Sequence, residues 1–555
     1  MRRLISLMFW YLALVMLLIP ISLDAQNSHD WNWVNQISGV SQQRAQATVC
    51  DMDDNVYICG FYQLATTFGT ITLDGYGDTD IYVAKLDPDG NWLWATRAGG
   101  GGPDEALDID VDDEGNVYVT GGFESSAIFG DIVLESQGNK DIFAAKLDSD
   151  GNWLWATGAG CFDGDQAYSI AVDTDGSSCI TGFVGGTVSF GAIEIVPYGY
   201  FDCFLAKLSA DGNWEWANRA GGTNHDEGKA VTIDDSGYIY LTGRYRGIAS
   251  FGELSLNSHG ANDGFIAKLD VDGNWLWART FGGYAYYDDV WDISLDLIGN
   301  CFITGDFYTD GTFGDFVLQG NGSQDLFVAA IDSSGTWLWA NSAGAGGSDS
   351  GVCLVVDNNQ NTFVSGNFQQ TLSFGVTQIT AVGNWDIFYA SLDSNGNWTW
   401  ATSIGNTGND WTGGIAFDSN YDVCAHGTFY NSVPFGDIIL TSIGGTDAYI
   451  ALLDPDGSPV IDPHVPSVSD FAILYNPMPN PAFKGSQISV DTSVSQATNA
   501  VLEMYNIRGQ LLQTHPVNAV RQTFIFDSEP LASGVYLFRL KCKDGSSIKK
   551  ISVIK

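Results

Sequence analysis

The chain runs to 555 residues, too long for one simple core and long enough for two or more domains. Its 66 Asp and Glu against 23 Lys and Arg give a formal net charge of −43 at pH 7, a surface that repels phosphate backbones and argues against nucleic acid as a partner. The charge is unevenly placed: no Lys or Arg lies between Arg279 and Lys484, whereas residues 471–555 carry nine Lys/Arg against five Asp/Glu.

The N-terminus reads as a signal peptide over residues 1–25. Arg2 and Arg3 form a short basic end, Leu4 to Ile21 is an apolar run, and Leu23-Asp24-Ala25 is an imperfect cleavage site. Nothing later is apolar enough to span a bilayer, so no transmembrane span is expected in the mature protein.

From residue 31 a Trp-x-Trp pair recurs seven times: Trp31/Trp33, Trp92/Trp94, Trp153/Trp155, Trp214/Trp216, Trp275/Trp277, Trp337/Trp339 and Trp398/Trp400. A period of about 61 residues means stacked copies of one supersecondary unit. The copy at Glu105–Trp155 predicts four short strands: Glu105–Asp112, Val117–Gly121, Asp141–Leu147 and one through Trp153-Leu154-Trp155. Four antiparallel strands repeated radially predict an all-β fold, a seven-bladed β-propeller over 26–457. The first Trp pair has no strands before it, and the last copy, Trp411 to Leu453, has no Trp pair after it. The expected solution is a closed ring in which Trp31–Trp33 supplies the outer strand of the last blade. Residues two apart on a strand face the same way, so both indoles of each pair can fill a seam between blades.

Three other positions recur. Phe-Gly, at Phe68, Phe129, Phe190, Phe251, Phe313, Phe374 and Phe435, predicts a plug and a turn. One Asp ends the first strand of each copy (Asp51, Asp112, Asp173, Asp234, Asp296, Asp357, Asp418). Another opens the third strand (Asp80, Asp141, Asp202, Asp263, Asp325, Asp386, Asp447). Both sets suit acceptance of backbone N–H bonds beside tight turns. A further Asp precedes the first strand in six copies: Asp104, Asp165, Asp226, Asp288, Asp349 and Asp410, with Gln43 in the first. These six would ring one mouth of the central channel, where they either hold a hard cation such as Ca²⁺ or, the reading we favour, cap their own loops. Ca²⁺ is the one cofactor this pattern suggests. The nine cysteines show no organised spacing and read mostly as small buried apolar residues.

The repeat, with its signature Ile109-Asp110-Val111-Asp112…Gly115-Asn116-Val117-Tyr118-Val119-Thr120-Gly121, resembles the bacterial seven-bladed β-propeller repeat family over about 30–457. That family implies a fold and no reaction.

A Pro-spaced linker is expected at 458–470, followed by a small Ig-like β-sandwich over 471–555 with strands at Gln487–Asp491, Ala500–Tyr505, Thr523–Phe526, Gly534–Leu540 and Ile548–Ile554. Asn480-Pro481, Met504-Tyr505-Asn506-Ile507-Arg508-Gly509-Gln510, Leu531-Ala532-Ser533-Gly534-Val535-Tyr536-Leu537 and the end Lys549-Lys550-Ile551-Ser552-Val553-Ile554-Lys555 resemble the type A C-terminal sorting domain of type IX secretion, a system of the Bacteroidota. Gly534, Tyr536, Lys549 and Lys550 match its motif. The resemblance implies the type IX machinery as partner and a route through the periplasm to the cell surface or medium.

No catalytic constellation stands out. The six His share no repeat position, and no nucleophile elbow or phosphate-cradling loop is present. Gly347-Ser348-Asp349-Ser350-Gly351 falls at the repeat junction and reads as structural. The leading expectation is a secreted or surface-displayed module binding an extracellular glycan or protein. Variable excursions between second and third strands, and aromatics such as Tyr284, Tyr286 and Tyr287, offer the contact surface. The alternative is a polysaccharide-active enzyme, a glycosidase or lyase using propeller carboxylates. Blade-specific Glu124, Glu194, Glu215 and Glu253 are its candidates. A third reading, a purely structural surface-layer component, predicts no ligand.

Overall fold

A computed structural model describes residues 30–284 and 287–455, and in the C-terminal region 472–474, 482–483, 487–494, 501–506, 511–517, 521–528, 531, 534–541 and 546–554. The expected signal peptide, the linker, Tyr286, Asn480-Pro481 and Cys542 lie outside the described residues. The chain divides into two compact units, 1–459 and 460–555. Among the described residues no helix is long and apolar enough to cross a membrane.

Seven four-stranded antiparallel sheets make up the first unit. Their innermost strands are Gln43–Cys50, Glu105–Val111, Gln166–Val172, Glu227–Ile233, Asp289–Leu295, Ser350–Val356 and Trp411–Phe417, for blades 1 to 7. Each packs beside the next, and blade 7 beside blade 1, so the ring closes. Closure takes the expected form. Strand Asp30–Gly39 is the outer strand of blade 7, antiparallel to Asp447–Asp454, with Trp31 opposite Leu453 and Trp33 opposite Leu452.

The excursions between second and third strands are hairpins with a definite task. That of blade 1 (Thr66–Phe68 and Ile71–Leu73) pairs with the outer strand of blade 7, Ile37 opposite Phe68. Ala98 of blade 1 meets Phe129 of blade 2, and Ala220 of blade 3 meets Phe251 of blade 4, in the same way. At these three seams a blade's outer edge is covered by its successor's hairpin, and a single bridge, Gly282 to Thr312, does so between blades 4 and 5, which takes up N–H and C=O groups that an edge strand exposes. In blade 2 the strands run unbroken into this hairpin, as Val117–Phe129 and Ile132–Leu147, longer than the sequence pattern indicated.

The Trp pairs fill the seams. The first indole stands edge-on to the Phe of its own blade's Phe-Gly. Trp92–Phe68 and Trp153–Phe129 are both 5.1 Å between ring centres, Trp214–Phe190 is 4.9 Å and Trp275–Phe251 is 5.3 Å. The Trp153 indole N–H also donates to Arg97 O of the preceding blade at 3.2 Å. The second indole reaches forward to a carbonyl in the following blade's last hairpin. Trp33, Trp94 and Trp155 donate to Pro88, Ser149 and Ala210 at 3.0 Å, and Trp277 donates to Ser333 at 3.1 Å. A glycine of that hairpin lies on the ring. Gly151 has φ 84°, and a Cβ there would sit 2.9 Å from Trp94 ring carbons, so space and backbone both demand glycine.

Three of the second indoles depart from the uniform seam filling that the spacing predicts. Trp277 is buried, whereas Trp94, Trp155 and Trp216 are only half-buried. The cause is Arg279, two residues on and so on the same face, whose guanidinium lies 5.6 Å from the Trp277 ring centre and whose Nε donates to Gly335 O at 2.8 Å. Trp339 makes no side-chain hydrogen bond among the described residues, and Asn341 beside it donates to Gly396 O at 2.6 Å. Trp216 makes none either. Its ring is held by packing alone, on the apolar cluster of blades 3 and 4 and against Gly273, where a Cβ would sit 3.1 Å away. Asn218, on the same face, supplies the bond to the next hairpin instead, donating to Gly273 O at 2.7 Å.

The apolar clusters straddle blades; one joins Tyr57, Ile81 and Val83 of blade 1 to Val119, Phe129 and Phe143 of blade 2. Each buried aromatic is worth several kcal/mol before entropy is counted, at about 25 cal/mol/Å². The stabilised body is therefore the ring rather than the blade.

The C-terminal unit is a small two-sheet β domain. One sheet holds Ala472–Leu474, Gln487–Val494 and Arg521–Asp527. The other holds Ala482–Phe483, Ser546–Ile554, Gly534–Lys541, Val501–Asn506 and Leu511–Pro516. Leu511–Pro516 is a strand the sequence pattern does not announce; its exposed Leu511, Leu512, Gln513 and Thr514 show no inward-outward alternation to reveal it. Ile488, Leu502, Met504, Phe526, Tyr536 and Phe538 are among its core residues.

Candidate functional site at the channel mouth

The innermost strands all start at one end of the ring, the mouth where the outer strands end. The six Asp residues that precede them are fully or almost fully buried. Each uses one carboxylate oxygen to accept the N–H four or five residues earlier and the other to accept an N–H twenty residues later, after the second strand. Asp104 accepts from Gly100 and Glu124 (2.6 and 3.2 Å), Asp165 from Cys161 and Gly185 (2.7 and 2.8 Å), and Asp226 from Gly222 and Arg246 (2.7 and 2.9 Å). Asp288, Asp349 and Asp410 repeat the pattern. They clamp two loops apiece and do not line the channel cavity. Among the described residues no group of three or more His, Cys, Asp or Glu is arranged to hold a metal. Burial pushes the carboxyl groups of Asp104 and Asp288 up to about 7, and those of Asp226, Asp349 and Asp410 up to about 6, against the opposing pull of their N–H bonds.

The channel, a cavity of about 460 Å³, is lined by a different set. Every innermost strand carries a bulge three residues after the junction position, at Gln46, Leu107, Tyr168, Lys229, Trp291, Val352 and Gly413. A bulge turns one extra side chain out of the ladder, and all seven line the cavity. Within an otherwise repetitive molecule, one structural position thus holds seven different residues. Inspecting the repeats column by column for a divergent site between constant ones would have found it.

One residue after the bulge, side chains fasten neighbouring innermost strands. Asp108 accepts from Ile170 N–H (2.8 Å), Ser169 from Val231 (3.2 Å), Asp292 from Leu354 (2.8 Å) and the Cys353 thiol from Ile415 (3.3 Å). Asp110 does the same for Val172 at 2.8 Å. Burial raises the Asp108 carboxyl to about 7 and that of Asp110 to about 6.

The mouth is chemically lopsided. The Lys229 ammonium lies 4.2 Å from the centre of the Tyr168 ring and 5.3 Å from that of Trp291, and pairs with Glu227 at 2.6 Å. Arg244 bridges Glu227 and Asp289 at 3.0 and 2.9 Å. Asp306, buried, accepts from Trp291, Ser350 and Gln324 at 2.9, 2.7 and 2.7 Å; burial raises it to about 6. Burial pulls the Lys229 ammonium below its ordinary range, with Glu227 opposing. Around this cluster the same face carries exposed aromatics: Tyr198, Tyr200, Tyr284 and Tyr287. Tyr200 stacks on His225 at 5.4 Å, and Trp385 lies against Trp411 at 5.2 Å. The sequence candidates Glu194, Glu215 and Glu253 fall on outer strands and hairpins, exposed, and with Glu124 stand outside the cavity lining.

Seven sheets closed around a channel make the first unit a β-propeller repeat protein. Residues 477–555 match the family described as Secretion system C-terminal sorting domain. The second unit is therefore a type IX sorting domain, and the protein is exported to the cell surface or released. The chain is also similar to the regulatory protein FlaEY of Caulobacter vibrioides, 30% identical over 194 residues, 33% of this chain and 20% of that protein. An uncharacterized WD repeat-containing protein of Acanthamoeba polyphaga mimivirus is 23% identical over 509 residues, 72% of this chain and 36% of the relative. The chain thus spans about a third or less of the curated relatives it matches. Among solved structures, a mutant of the Synechocystis apocarotenoid oxygenase has a TM-score of 0.36 at 10% identity, covering 77% of this chain and 95% of that one. A mutant puromycin hydrolase gives 0.33 at 10% identity, covering 70% and 59%.

Proposed function

We propose that the protein is an exported binding module whose contact surface is the channel mouth, and that its ligand is an extracellular glycan. The observation that carries this reading is the bulge ring: seven equivalent positions carry seven different residues, beside a cluster of charge and exposed aromatic rings. A scaffold has no reason to diversify one lining position while keeping its Trp, Phe-Gly and Asp positions; a recognition surface does. Flat aromatic rings on a rigid face suit the apolar faces of sugar rings, and Glu227, Arg244 and Asp289 suit hydroxyl groups. In this reading residues 1–25 deliver the chain to the periplasm, the sorting domain passes it outward, and the host belongs to the Bacteroidota. A panel of extracellular polysaccharides tests the proposal. Wild type should retain at least one, and Trp291→Ala and Tyr200→Ala should each weaken that binding at least tenfold with unchanged melting. Binding indifferent to both substitutions overturns it.

One observation favours a second reading, a polysaccharide-active enzyme. Asp289 and Asp306 sit opposite each other on adjacent strands at this mouth, one paired with Arg244 and the other raised to about 6, a division of roles that acid–base chemistry uses. New reducing or unsaturated ends released from the panel, and lost in Asp306→Asn, would establish it.

A further inference from the structure

The seam between blade 7 and blade 1 has a feature the other six lack. Cys50 ends the innermost strand of blade 1, and Cys424 lies on the second strand of blade 7, Val423–Phe429. The Cys424 thiol, with burial, holds the Cys50 thiol well above its ordinary range. Thr48, two residues before Cys50 and so on the same face of its strand, places its hydroxyl 4.0 Å from the Cys424 sulfur. Cys50 packs against the buried cluster that contains Cys424. Sharing a blade does not by itself bring thiols together. Cys179 and Cys203 both belong to blade 3 but face Lys207 and Phe183, four residues apart along the sheet, roughly 13 Å.

We propose that Cys50 and Cys424 form a disulfide in the exported protein, a covalent latch across the ring's closure. The sorting domain sends the chain out of the reducing cytoplasm, into compartments where disulfides form and persist. Cys50 lines the channel cavity, which gives an oxidant a path to it. The oxidant is a disulfide-bearing thiol oxidoreductase or a small-molecule disulfide. The Cys50 thiolate attacks it, forming a mixed disulfide and expelling one thiolate. The Cys424 thiolate then attacks the Cys50 sulfur and expels the second. Two electrons leave the protein in the reduced oxidant, and the two cysteine protons end on the expelled sulfurs. The latch joins residues roughly 370 positions apart, the length regime in which cross-links restrict the unfolded chain most.

The test uses full-length protein collected from an oxidising compartment or medium, denatured and alkylated without reductant. The expected result is seven alkylated thiols of nine, a linked peptide pair containing Cys50 and Cys424, and a melting temperature that falls by several degrees on reduction. The double variant Cys50→Ala/Cys424→Ala should alkylate at all seven remaining thiols and melt at one temperature with or without reductant. Nine alkylated thiols in the wild type, or a linked pair made of other cysteines, overturns the proposal. So does reductant-sensitive melting that survives in the double variant. The mapping on wild type needs no variant to fold.

Discussion

The two ends of the innermost strands differ in how strictly they repeat. At the far end every strand stops at an Asp that accepts N–H groups of the turn after it: Asp51, Asp112, Asp234, Asp296, Asp357 and Asp418 each take the N–H four residues on. At the mouth, the residues just inside the clamps are Arg44, Glu105, Gln166, Glu227, Asp289, Ser350 and Trp411, followed two positions later by the bulge ring. The far-end Asp does the same work in six of the seven copies, so the same residue serves; the positions just inside the clamps are free of such a duty and have diversified. Uniformity marks the scaffold, and diversity marks the surface that meets a partner.

The hardest blow to this division should fall on the scaffold. Deleting Asp30–Gly39 removes two seam indoles and the strand that completes blade 7; we expect the melting temperature to drop by more than 10 °C, with loss of cooperative unfolding by calorimetry. Next, Asp226→Ala leaves two loop N–H groups without their acceptor and should cost about 2–4 kcal/mol in denaturant unfolding. Arg44→Ala and Tyr200→Ala, at the mouth, should stay within about 0.5 kcal/mol of wild type. If clamp and mouth substitutions cost the same, the division is wrong.

A third expectation concerns pH. The buried carboxyl groups of Asp104, Asp108, Asp226, Asp288, Asp306, Asp349 and Asp410 titrate near 6–7 when folded, but near 4 when unfolded. Between those values the native state holds protons that the unfolded chain has released, so each pH step upward disfavours folding. Stability should be greatest near pH 4 and decline through pH 7, read as a lower melting temperature at pH 8. His426, which burial lowers to about 4, opposes this on the acid side, where the unfolded chain gains a proton that the folded ring refuses. A small stabilisation is expected at Leu64, held at φ 64° where blade 7 places Asn431 at φ 57°. Leu64→Asn should add about 0.5–1 kcal/mol by relieving left-handed strain.

Much of the architecture was legible because it rests on repetition. Trp spacing counted the blades, and the mismatched ends of the array implied closure by the strand now seen at Asp30–Gly39. Spacing did not reveal that Trp216, Trp277 and Trp339 differ from their equivalents. Less of the mouth was legible. Asp104 and its equivalents read as either a cation ring or loop caps, because spacing alone does not say which way a carboxylate points; the N–H partners at both oxygens do. The lining residues escaped notice because a bulge breaks the two-residue alternation by which inward positions are recognised. Asp108, Asp110 and Asp292 belong to no recurring Asp position, and so nothing in the spacing marks them, although they reach across to the neighbouring strand. Ser169 and Cys353 share that task, and no residue type signals it.

The docking of Asp30–Gly39 on Asp447–Asp454 has a bearing on biogenesis. The first of these partners to leave the ribosome waits for the second while roughly 400 residues are made, about half a minute or more at usual synthesis rates. Throughout that interval two indoles and a bare strand edge have nowhere native to go. A nascent chain in that condition is pliable and needs chaperone custody. The disc cannot close before Asp447–Asp454 has been made, so the earliest-made strand takes its place only at the end.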